Sequence, residues 1–147
     1  MRALVQRVSQ ASVAVDNATV GEIQQGLLLL VGFRSADDEQ ALRFCAKKCA
    51  DLRVFPDADG KMNRSLLDIG GGVLCVSQFT LYGDCRKGRR PSFDEAAPPE
   101  EAKVLYERFL KILTEQGLAP AYGTFGAHMH VEIHNDGPVT LMVESPT

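Results

Sequence analysis

The segment "SQFTL", residues 77–81, places polar side chains at the end of an apolar stretch. Ser77 and Thr80 supply hydroxyl groups, Gln78 supplies an amide and Phe79 supplies an aromatic ring. On an alternating strand, Gln78 and Thr80 would simply face solvent. At a strand end, the same side chains and their backbone N–H groups would line a pocket. A threonine hydroxyl is a poor nucleophile without a base to activate it, so the segment alone favours neither interpretation.

The segment "NDGPVT", residues 135–140, raises a question about the backbone. It separates two alternating apolar stretches, and its Asp-Gly pair is typical of a turn. Pro138 directly after Gly137 removes a backbone donor where the next strand should begin to pair. The sequence leaves open whether Gly137-Pro138 is only a turn between two strands or a fixed piece of backbone that contacts another group.

The three histidines are the candidates for metal chemistry. His128, His130 and His134 would share one face of an unbroken strand, which is a pattern that a zinc site could use. The set is short and part of it falls in the expected turn, so we predict no metal. The sequence contains no GxSxG, HExxH or Walker A motif.

A basic loop, "CRKGRRPSF", covers residues 85–93. It holds four cations within five positions, and arginine is suited to bidentate contacts with phosphate. The loop could therefore bind phosphates, and the alternative is a solvated surface loop. The four cations are Arg86, Lys87, Arg89 and Arg90.

Composition describes an ordinary globular protein. The chain has 147 residues, 45% of them hydrophobic and 24% charged, which predicts one domain over residues 1–147. A net charge of −3 excludes a protein that coats nucleic acid by bulk charge. The longest apolar run, residues 26–31, is too short for a membrane span, and the N-terminus has no secretory pattern. We therefore predict a cytoplasmic protein whose four cysteines are reduced.

Hydrophobic periodicity predicts a mixed α/β domain in which helices pack on a largely antiparallel sheet. A helix should begin with a capping box at Ser35 and Asp38, and a second should begin at Pro98 and Pro99 and end before Gly117. A turn is expected at Asp16-Asn17. The predicted strands are residues 3–8, 11–15, 27–33, 53–55, 73–81, 129–133 and 139–143.

Four motifs, in this order and spacing, resemble the D-aminoacyl-tRNA deacylases (D-tyrosyl-tRNA(Tyr) deacylases). They are "SQFTL", "KGRRPSF", "GTFGAHM" and "NDGPVT", and the opening "MRALVQRVSQASVAVD" followed by "GEIQQGLLLLVGF" resembles the same family. The resemblance covers the chain from Met1 to about Val143. It implies a single α/β domain that forms a homodimer, with active sites at the interface.

The resemblance also implies roles for particular residues. Ser77, Gln78, Phe79 and Thr80 would form the substrate pocket, with backbone N–H groups around Phe79 and Thr80 facing the oxyanion. Phe125 and Met129 would line the pocket wall, whereas His128 departs from the family, which often has Asp there. Gly137 and Pro138 would form a cis peptide that enters the partner's pocket as a chirality filter. The basic loop would bind tRNA.

The implied reaction is hydrolysis of the ester bond of D-aminoacyl-tRNA, with release of tRNA and the D-amino acid. L-aminoacyl-tRNA would be rejected and glycyl-tRNA accepted, because glycine has only hydrogens at Cα. No cofactor is implied, and the 2′-hydroxyl of the terminal adenosine would take part. Thr80 as a nucleophile remains the alternative mechanism. A metal-dependent hydrolase and a non-catalytic RNA-binding dimer remain the alternative functions.

Overall fold

Eight strands, three α-helices and a 3₁₀ helix make up residues 1–146, the part of the chain that the computed structural model describes. The 3₁₀ helix, Phe79–Tyr82, follows strand β6. In chain order the other elements are β1 Arg2–Val15, β2 Ala18–Ile23, β3 Gly26–Gly32, α1 Glu39–Asp51, β4 Phe55–Pro56, β5 Met62–Arg64, α2 Leu66–Ile69, β6 Gly72–Ser77, α3 Pro99–Glu115, β7 Ala121–Tyr122 and β8 His130–Glu144.

The main sheet is built around the long strand β1. One edge of β1 pairs with β3 and then with β2, and its other edge pairs with β8, all antiparallel. Strands β3, β6 and β7 continue the sheet in parallel. The α/β class is therefore as predicted, but the sheet is more mixed than expected.

The sheet curls until it nearly closes into a barrel. Strand β2 comes so close to β7 that a Cβ built on Gly21 would lie 2.8 Å from the carbonyl oxygen of Tyr122. Only glycine permits such an approach of two backbones. The curled sheet therefore has an inner face, as well as an outer face on which the helices pack.

Strand β3 is buried on both of these faces, as its continuous apolar run predicts. Leu27 and Leu29 pack outward into the core beneath α1 and α3. Leu28 packs inward with Val8 and Leu74. Because β3 and the neighbouring β6 are packed on both faces, the ends of these two strands have fixed positions.

Helix α1 begins later than predicted. Asp38 is its N-cap, and the carboxylate accepts a hydrogen bond from the Ala41 N–H at 2.9 Å. The predicted capping box from Ser35 is wrong, because the Ser35 hydroxyl donates to Glu101 instead. Helix α3 begins at Pro99 and is followed by Gly117 with φ +90°, as predicted.

The cysteines of α1 are core residues. Cys45 and Cys49 are fully buried, and burial raises the pKa of the Cys45 thiol to about 11 and that of Cys49 to about 12. Both thiols are therefore protonated at neutral pH and act as small apolar side chains.

Three of the strand predictions are wrong. Strand β1 is continuous where two strands were expected, β6 stops at Ser77 where a strand to residue 81 was expected, and β8 is a single strand where two strands and a turn were expected. Strands β2, β5 and β7 and the short helix α2 were not predicted. The errors around β1 have one cause: because β1 is long, it can pair with both halves of β8, and this ladder outweighs the local turn preference of Asp-Gly-Pro.

The turn predicted at Asp16-Asn17 is confirmed, since both residues have positive φ between β1 and β2. No helix within residues 1–146 is long and apolar enough to cross a membrane. The cytoplasmic location stays a prediction.

Candidate active site

A cleft of about 600 Å³ lies at the carboxyl ends of the parallel strands β3 and β6. Val31 and Gly32 reach it from β3, and Val76 and Ser77 reach it from β6. The carboxyl ends of parallel strands are a common place for a binding site. The remaining walls come from the 3₁₀ helix, the start of α3 and the loop before β8.

The chain leaves β6 at Gln78 because the neighbouring strand allows a close approach. The Gln78 N–H donates to the carbonyl of Val31 at 2.7 Å. A Cβ on Gly32 would lie 2.9 Å from the Gln78 carbonyl oxygen, so glycine makes room for the bend. The 3₁₀ helix Phe79–Tyr82 then begins at the rim of the cleft.

Two backbone donors at the start of this helix lack acceptors. The N–H groups of Phe79 and Thr80 precede the first helical carbonyl that could accept from them. Neither donates a hydrogen bond within residues 1–146. Paired, pre-positioned N–H groups can stabilise negative charge on a carbonyl oxygen.

Most of the residues that sequence analysis selects for the pocket line the cleft. Those that do are Ser77, Gln78, Phe79, Phe125 and Met129, together with His128. Thr80 is exposed and lies outside the cleft wall. Its hydroxyl oxygen accepts a hydrogen bond from the Gln78 amide, and an amide cannot remove a proton from it.

Sequence analysis missed the aromatic residue Phe93. Its ring packs edge-to-face on Phe79, with ring centroids 5.1 Å apart and planes at 70°, and it lines the cleft. The available signal was its place directly after the basic loop. Both rings remain partly exposed, Phe79 at 55% and Phe93 at 36%.

The far wall of the cleft is supported from the core. The ring of Phe125 packs on Tyr106 at 5.7 Å. The Tyr106 hydroxyl donates to the carbonyl of Cys75, in β6, at 2.8 Å, and burial raises the pKa of Tyr106 above its ordinary value. Tyr106 therefore stays neutral and ties α3, the cleft wall and β6 together.

The basic loop is closed at its base beside the cleft. Asp84 and Ser92 exchange two backbone hydrogen bonds of 2.7 and 2.9 Å. Arg86 turns back on Asp84 with two hydrogen bonds of 2.8 and 2.7 Å, which lower the pKa of Asp84 to about 2. The other three cations are exposed and have no ion pair within the described chain: Lys87, Arg89 and Arg90.

The Gly137-Pro138 pair lies in a bulge of β8 and not in a turn. Val8 pairs with Asn135 and Gln6 pairs with Thr140, so four residues, 136–139, lie opposite Arg7 alone. The Gly137-Pro138 bond is cis, and Gly137 has φ +144°. Both residues are exposed.

Polar side chains hold this bulge at both ends. The Asn135 side-chain oxygen accepts from the Val139 N–H at 2.8 Å, and its NH₂ group donates to the Val139 carbonyl at 3.2 Å. Arg7 donates to the Asp136 carbonyl at 2.9 Å and to the Val54 carbonyl at 2.6 Å. The backbone of the bulge is thus fixed while its outer surface stays free.

The bulge does not reach the cleft of its own chain. Neither Gly137 nor Pro138 lines that cleft. Arg7, opposite the bulge, pairs with Leu27 at the start of β3, whereas the cleft uses Val31 and Gly32 at the end of β3. Four residues of strand separate the two places by about 13 Å.

The histidines are spread along the start of β8. The rings of His128 and His130 are perpendicular, with centroids 5.4 Å apart, and His134 lies 3.2 Å from the Gln10 amide. Within residues 1–146, no group of three or more His, Cys, Asp or Glu side chains is arranged to hold a metal ion.

Fold and cleft together define an α/β protein with a cleft at the carboxyl ends of two parallel strands and two free backbone donors at its rim. The family model for D-Tyr-tRNA(Tyr) deacylase matches residues 4–144. The chain belongs to this family.

Individual relatives agree with the family match. The chain is 61% identical over 145 residues to a D-aminoacyl-tRNA deacylase of Shouchella clausii, covering 99% of each chain. It is 58% identical over 145 residues to one of Thermotoga petrophila, covering 99% of this chain and 97% of the relative.

Two solved structures share the fold. A c-Myc DNA Unwinding Element Binding Protein superimposes with a TM-score of 0.94 at 42% identity, over 100% of both chains. A probable eukaryotic D-amino acid tRNA deacylase superimposes with a TM-score of 0.81 at 21% identity, over 97% of this chain and 98% of that one. At this identity the second likeness concerns the fold alone.

Proposed function

We propose that the protein hydrolyses the ester bond of D-aminoacyl-tRNA and releases free tRNA and the D-amino acid. The observation that carries the proposal is the family match over residues 4–144, in a chain whose cleft is lined by the "SQFTL" segment. The terminal adenosine with its aminoacyl group occupies this cleft, and the apolar walls contact its base and side chain.

The reaction needs an attacking water and donors for the developing oxyanion. The ester carbonyl oxygen lies at the rim of the cleft and accepts from the N–H group of Phe79, which lines the cleft, and from that of Thr80, the next residue of the helix; neither N–H has another acceptor. Water adds to the carbonyl carbon, and the ribose oxygen leaves with a proton. The neighbouring 2′-hydroxyl of the substrate assists, because the residues at the rim supply no evident base for Thr80.

Chirality is read by backbone and not by side chains. D-amino acids differ in their side chains, so a filter for handedness must act next to Cα. Gly137 and Pro138 of a partner subunit form a fixed wedge there, and an L-side chain collides with it. Glycyl-tRNA passes, because glycine has no Cβ.

A homodimer supplies this wedge. The bulge is exposed, rigidly held by Asn135 and Arg7, and distant from the cleft of its own chain. The same strand exposes a set of large apolar side chains, which is typical of a protein interface. They are Ile133, Leu141 and Met142.

The basic loop binds the tRNA acceptor end. Lys87, Arg89 and Arg90 are exposed and have no ion pair within residues 1–146. The Phe93–Phe79 contact places this loop beside the cleft. Phosphate contacts from the loop therefore guide the terminal adenosine towards the pocket.

The test is deacylation of D-Tyr-tRNA, L-Tyr-tRNA and Gly-tRNA by the same preparation. We expect rapid loss of the D-Tyr and Gly esters and survival of the L-Tyr ester. Activity that a chelator abolishes would support a metal-dependent hydrolase instead. Equal hydrolysis of D- and L-Tyr-tRNA would refute the chirality filter, and a monomer by light scattering with full activity would refute the composite site.

A second candidate is nucleic-acid binding without catalysis. It is favoured by the similarity to a solved structure that is called a DNA-unwinding-element binding protein. This role predicts binding to tRNA with no ester hydrolysis, so the same assay separates the two functions.

A further inference from the structure

Arg2, the first residue of strand β1, contacts the helix that carries the two free backbone donors. Its guanidinium Nη1 donates to the carbonyl of Leu81 at 2.8 Å. The guanidinium carbon also lies 4.5 Å from the centroid of the Tyr82 ring. Arg2 thus contacts both of the last two residues of the 3₁₀ helix Phe79–Tyr82.

Arg2 is itself fixed from the opposite side. Its Nε lies 3.0 Å from Glu144, at the end of β8. The adjacent backbone is tied down as well, since the Ser145 N–H donates to the Met1 carbonyl at 2.9 Å. The Arg2 side chain is about one-third exposed, 32%, so it is partly shielded from water, which strengthens both of its contacts.

The helix is short enough for its two ends to move together. It has four residues, and a 3₁₀ helix rises about 2 Å per residue with poorer hydrogen bonds than an α-helix. The Leu81 carbonyl is near its C-terminal end, where helical carbonyls lack intrahelical partners. A donor at Leu81 therefore constrains the orientation of the N–H groups at Phe79 and Thr80.

We propose that Arg2 is a positioning residue for the reaction: it orients the Phe79 and Thr80 N–H groups through the Leu81 carbonyl and the Tyr82 ring. Arg2 does not line the cleft, so it acts through the helix and not on the substrate. The proposal rests on the proposed deacylase function. In this proposal the Arg2–Glu144 ion pair holds the guanidinium in place against the helix.

The kinetic experiment compares four variants under single-turnover conditions with D-Tyr-tRNA. Arg2→Ala should lower the saturating rate by about tenfold or more, since small misplacements of oriented groups cost large factors in rate. The half-saturating enzyme concentration should change by less than about threefold, because tRNA contacts remain. Arg2→Lys and Glu144→Gln should show smaller losses. The Glu144 side chain is 56% exposed, so we expect Glu144→Gln to keep the fold. The control Arg43→Ala removes two surface ion pairs, one to Glu39 within α1 and one to Glu115 of α3, and should leave the rate unchanged.

A second readout does not depend on activity. The chain has three tyrosines, so protein labelled with fluorotyrosine gives three ¹⁹F resonances, and Tyr82→Phe identifies that of Tyr82. Arg2→Ala should shift the Tyr82 resonance because it removes the cation from that ring. The resonances of Tyr106 and Tyr122 should stay in place.

Several results would overturn the proposal. One is a saturating rate for Arg2→Ala within about twofold of the parent. Another is a rate loss with all three ¹⁹F resonances displaced, which would indicate general loosening of the fold. If Arg2→Ala does not fold, unchanged rates in both Arg2→Lys and Glu144→Gln would overturn it equally. If the parent protein deacylates no D-aminoacyl-tRNA, the proposed function fails, while the Tyr82 resonance still reports whether Arg2 positions the helix.

Discussion

The pocket helix and the Gly-Pro bulge both interrupt regular strands, but different forces hold them. The helix Phe79–Tyr82 is supported mainly by rings, since Phe93 packs on Phe79 and Tyr82 is buried at 3% exposure, and it has one side-chain hydrogen bond to its backbone, from Arg2 to the Leu81 carbonyl. The bulge at 136–139 is held by directed hydrogen bonds from Asn135 and Arg7. The helix therefore depends mostly on apolar packing, with one polar contact from Arg2, whereas the bulge depends on individual polar atoms.

This difference has a consequence for substitution. When an apolar side chain is replaced by another of similar volume, most of the buried apolar surface is kept, so little stability is lost. A polar clamp fails when one partner is removed, because the groups left behind lose their hydrogen bonds. The bulge should therefore be the more sensitive of the two segments.

The largest effect is expected from Gly137→Ala. A Cβ there would lie 2.8 Å from the Val139 backbone nitrogen, at φ +144°, so the wedge must move. We expect deacylation of D-Tyr-tRNA to fall about 100-fold, the order associated with a misplacement of about 1 Å. The matched control is Gly60→Ala, which also has positive φ but open space around it. An equal loss in the control would show that the effect is not specific to the bulge.

Asn135→Ala tests the clamp itself. It removes the hydrogen bonds to Val139 of 2.8 and 3.2 Å. The free energy of unfolding should fall by about 1–3 kcal/mol, measured by chemical denaturation, with a matching loss of D/L discrimination. Asn63→Ala is the control, because the Asn63 side chain makes a single exposed hydrogen bond of 3.3 Å to Asp57. Unchanged discrimination in Asn135→Ala would mean that the clamp is dispensable.

Phe93 tests the apolar side of the comparison. Phe93→Leu should retain most of the activity, whereas Phe93→Ala should raise the half-saturating enzyme concentration several-fold. The lost edge-to-face contact is worth about 0.5–1.5 kcal/mol beyond its buried area. Titration of single-turnover rates with enzyme measures this. If Phe93→Leu loses as much as Phe93→Ala, the ring itself holds this wall and not its apolar volume, and if neither variant changes, the contact is dispensable.

The basic loop should affect affinity without affecting chemistry. Replacing Arg89 and Arg90 by Ala should weaken tRNA binding and reduce the slope of log affinity against log salt by about 1 for each lost phosphate contact. Arg86→Ala is the control, because Arg86 is already paired with Asp84, and its effect should be smaller. A collapse of the saturating rate at unchanged affinity would place the loop in the active site.

The smallest effect is expected from Thr80→Ala. Thr80 lies outside the cleft wall and its hydroxyl accepts from Gln78, so the rate should fall less than about tenfold, well short of the loss of a nucleophile. A tRNA ending in 2′-deoxyadenosine should be the poor substrate. An inactive Thr80→Ala enzyme that still acts on the deoxy substrate would restore Thr80 as nucleophile.

Burial could be predicted from the sequence where the pattern was strong. The apolar run in β3 indicated a strand buried on both faces, and Pro98-Pro99 with Gly117 marked both ends of the second long helix. These features depend on local periodicity and on the fixed φ of proline.

The missed features depend on neighbours distant in sequence. Ser77 ends β6 because Gly32, on another strand, lets Gln78 approach. The Gly-Pro segment becomes a bulge because β1 pairs on both sides of it. The contact between Phe93 and Phe79 could not be predicted either, since it requires the basic loop to fold back on the cleft.

The bulge also determines where the C-terminal strand β8 can change in length. The pairs Gln10–His134 and Gln6–Thr140 are four positions apart along β1 and six positions apart along β8. Strand β8 therefore has two extra residues between them. Odd-numbered residues of β8 therefore pair with odd-numbered residues of β1 on both sides, from Ala11–Ile133 to Ala3–Val143. A one-residue deletion would keep Val143 in the core if the bulge shortened and the pair Gln6–Thr140 stayed in place. A slip of the following residues by one position would instead turn Val143 to solvent, because side chains alternate with period two. Length changes should therefore be tolerated during evolution within the bulge, which can absorb them, and not in the paired residues that follow it.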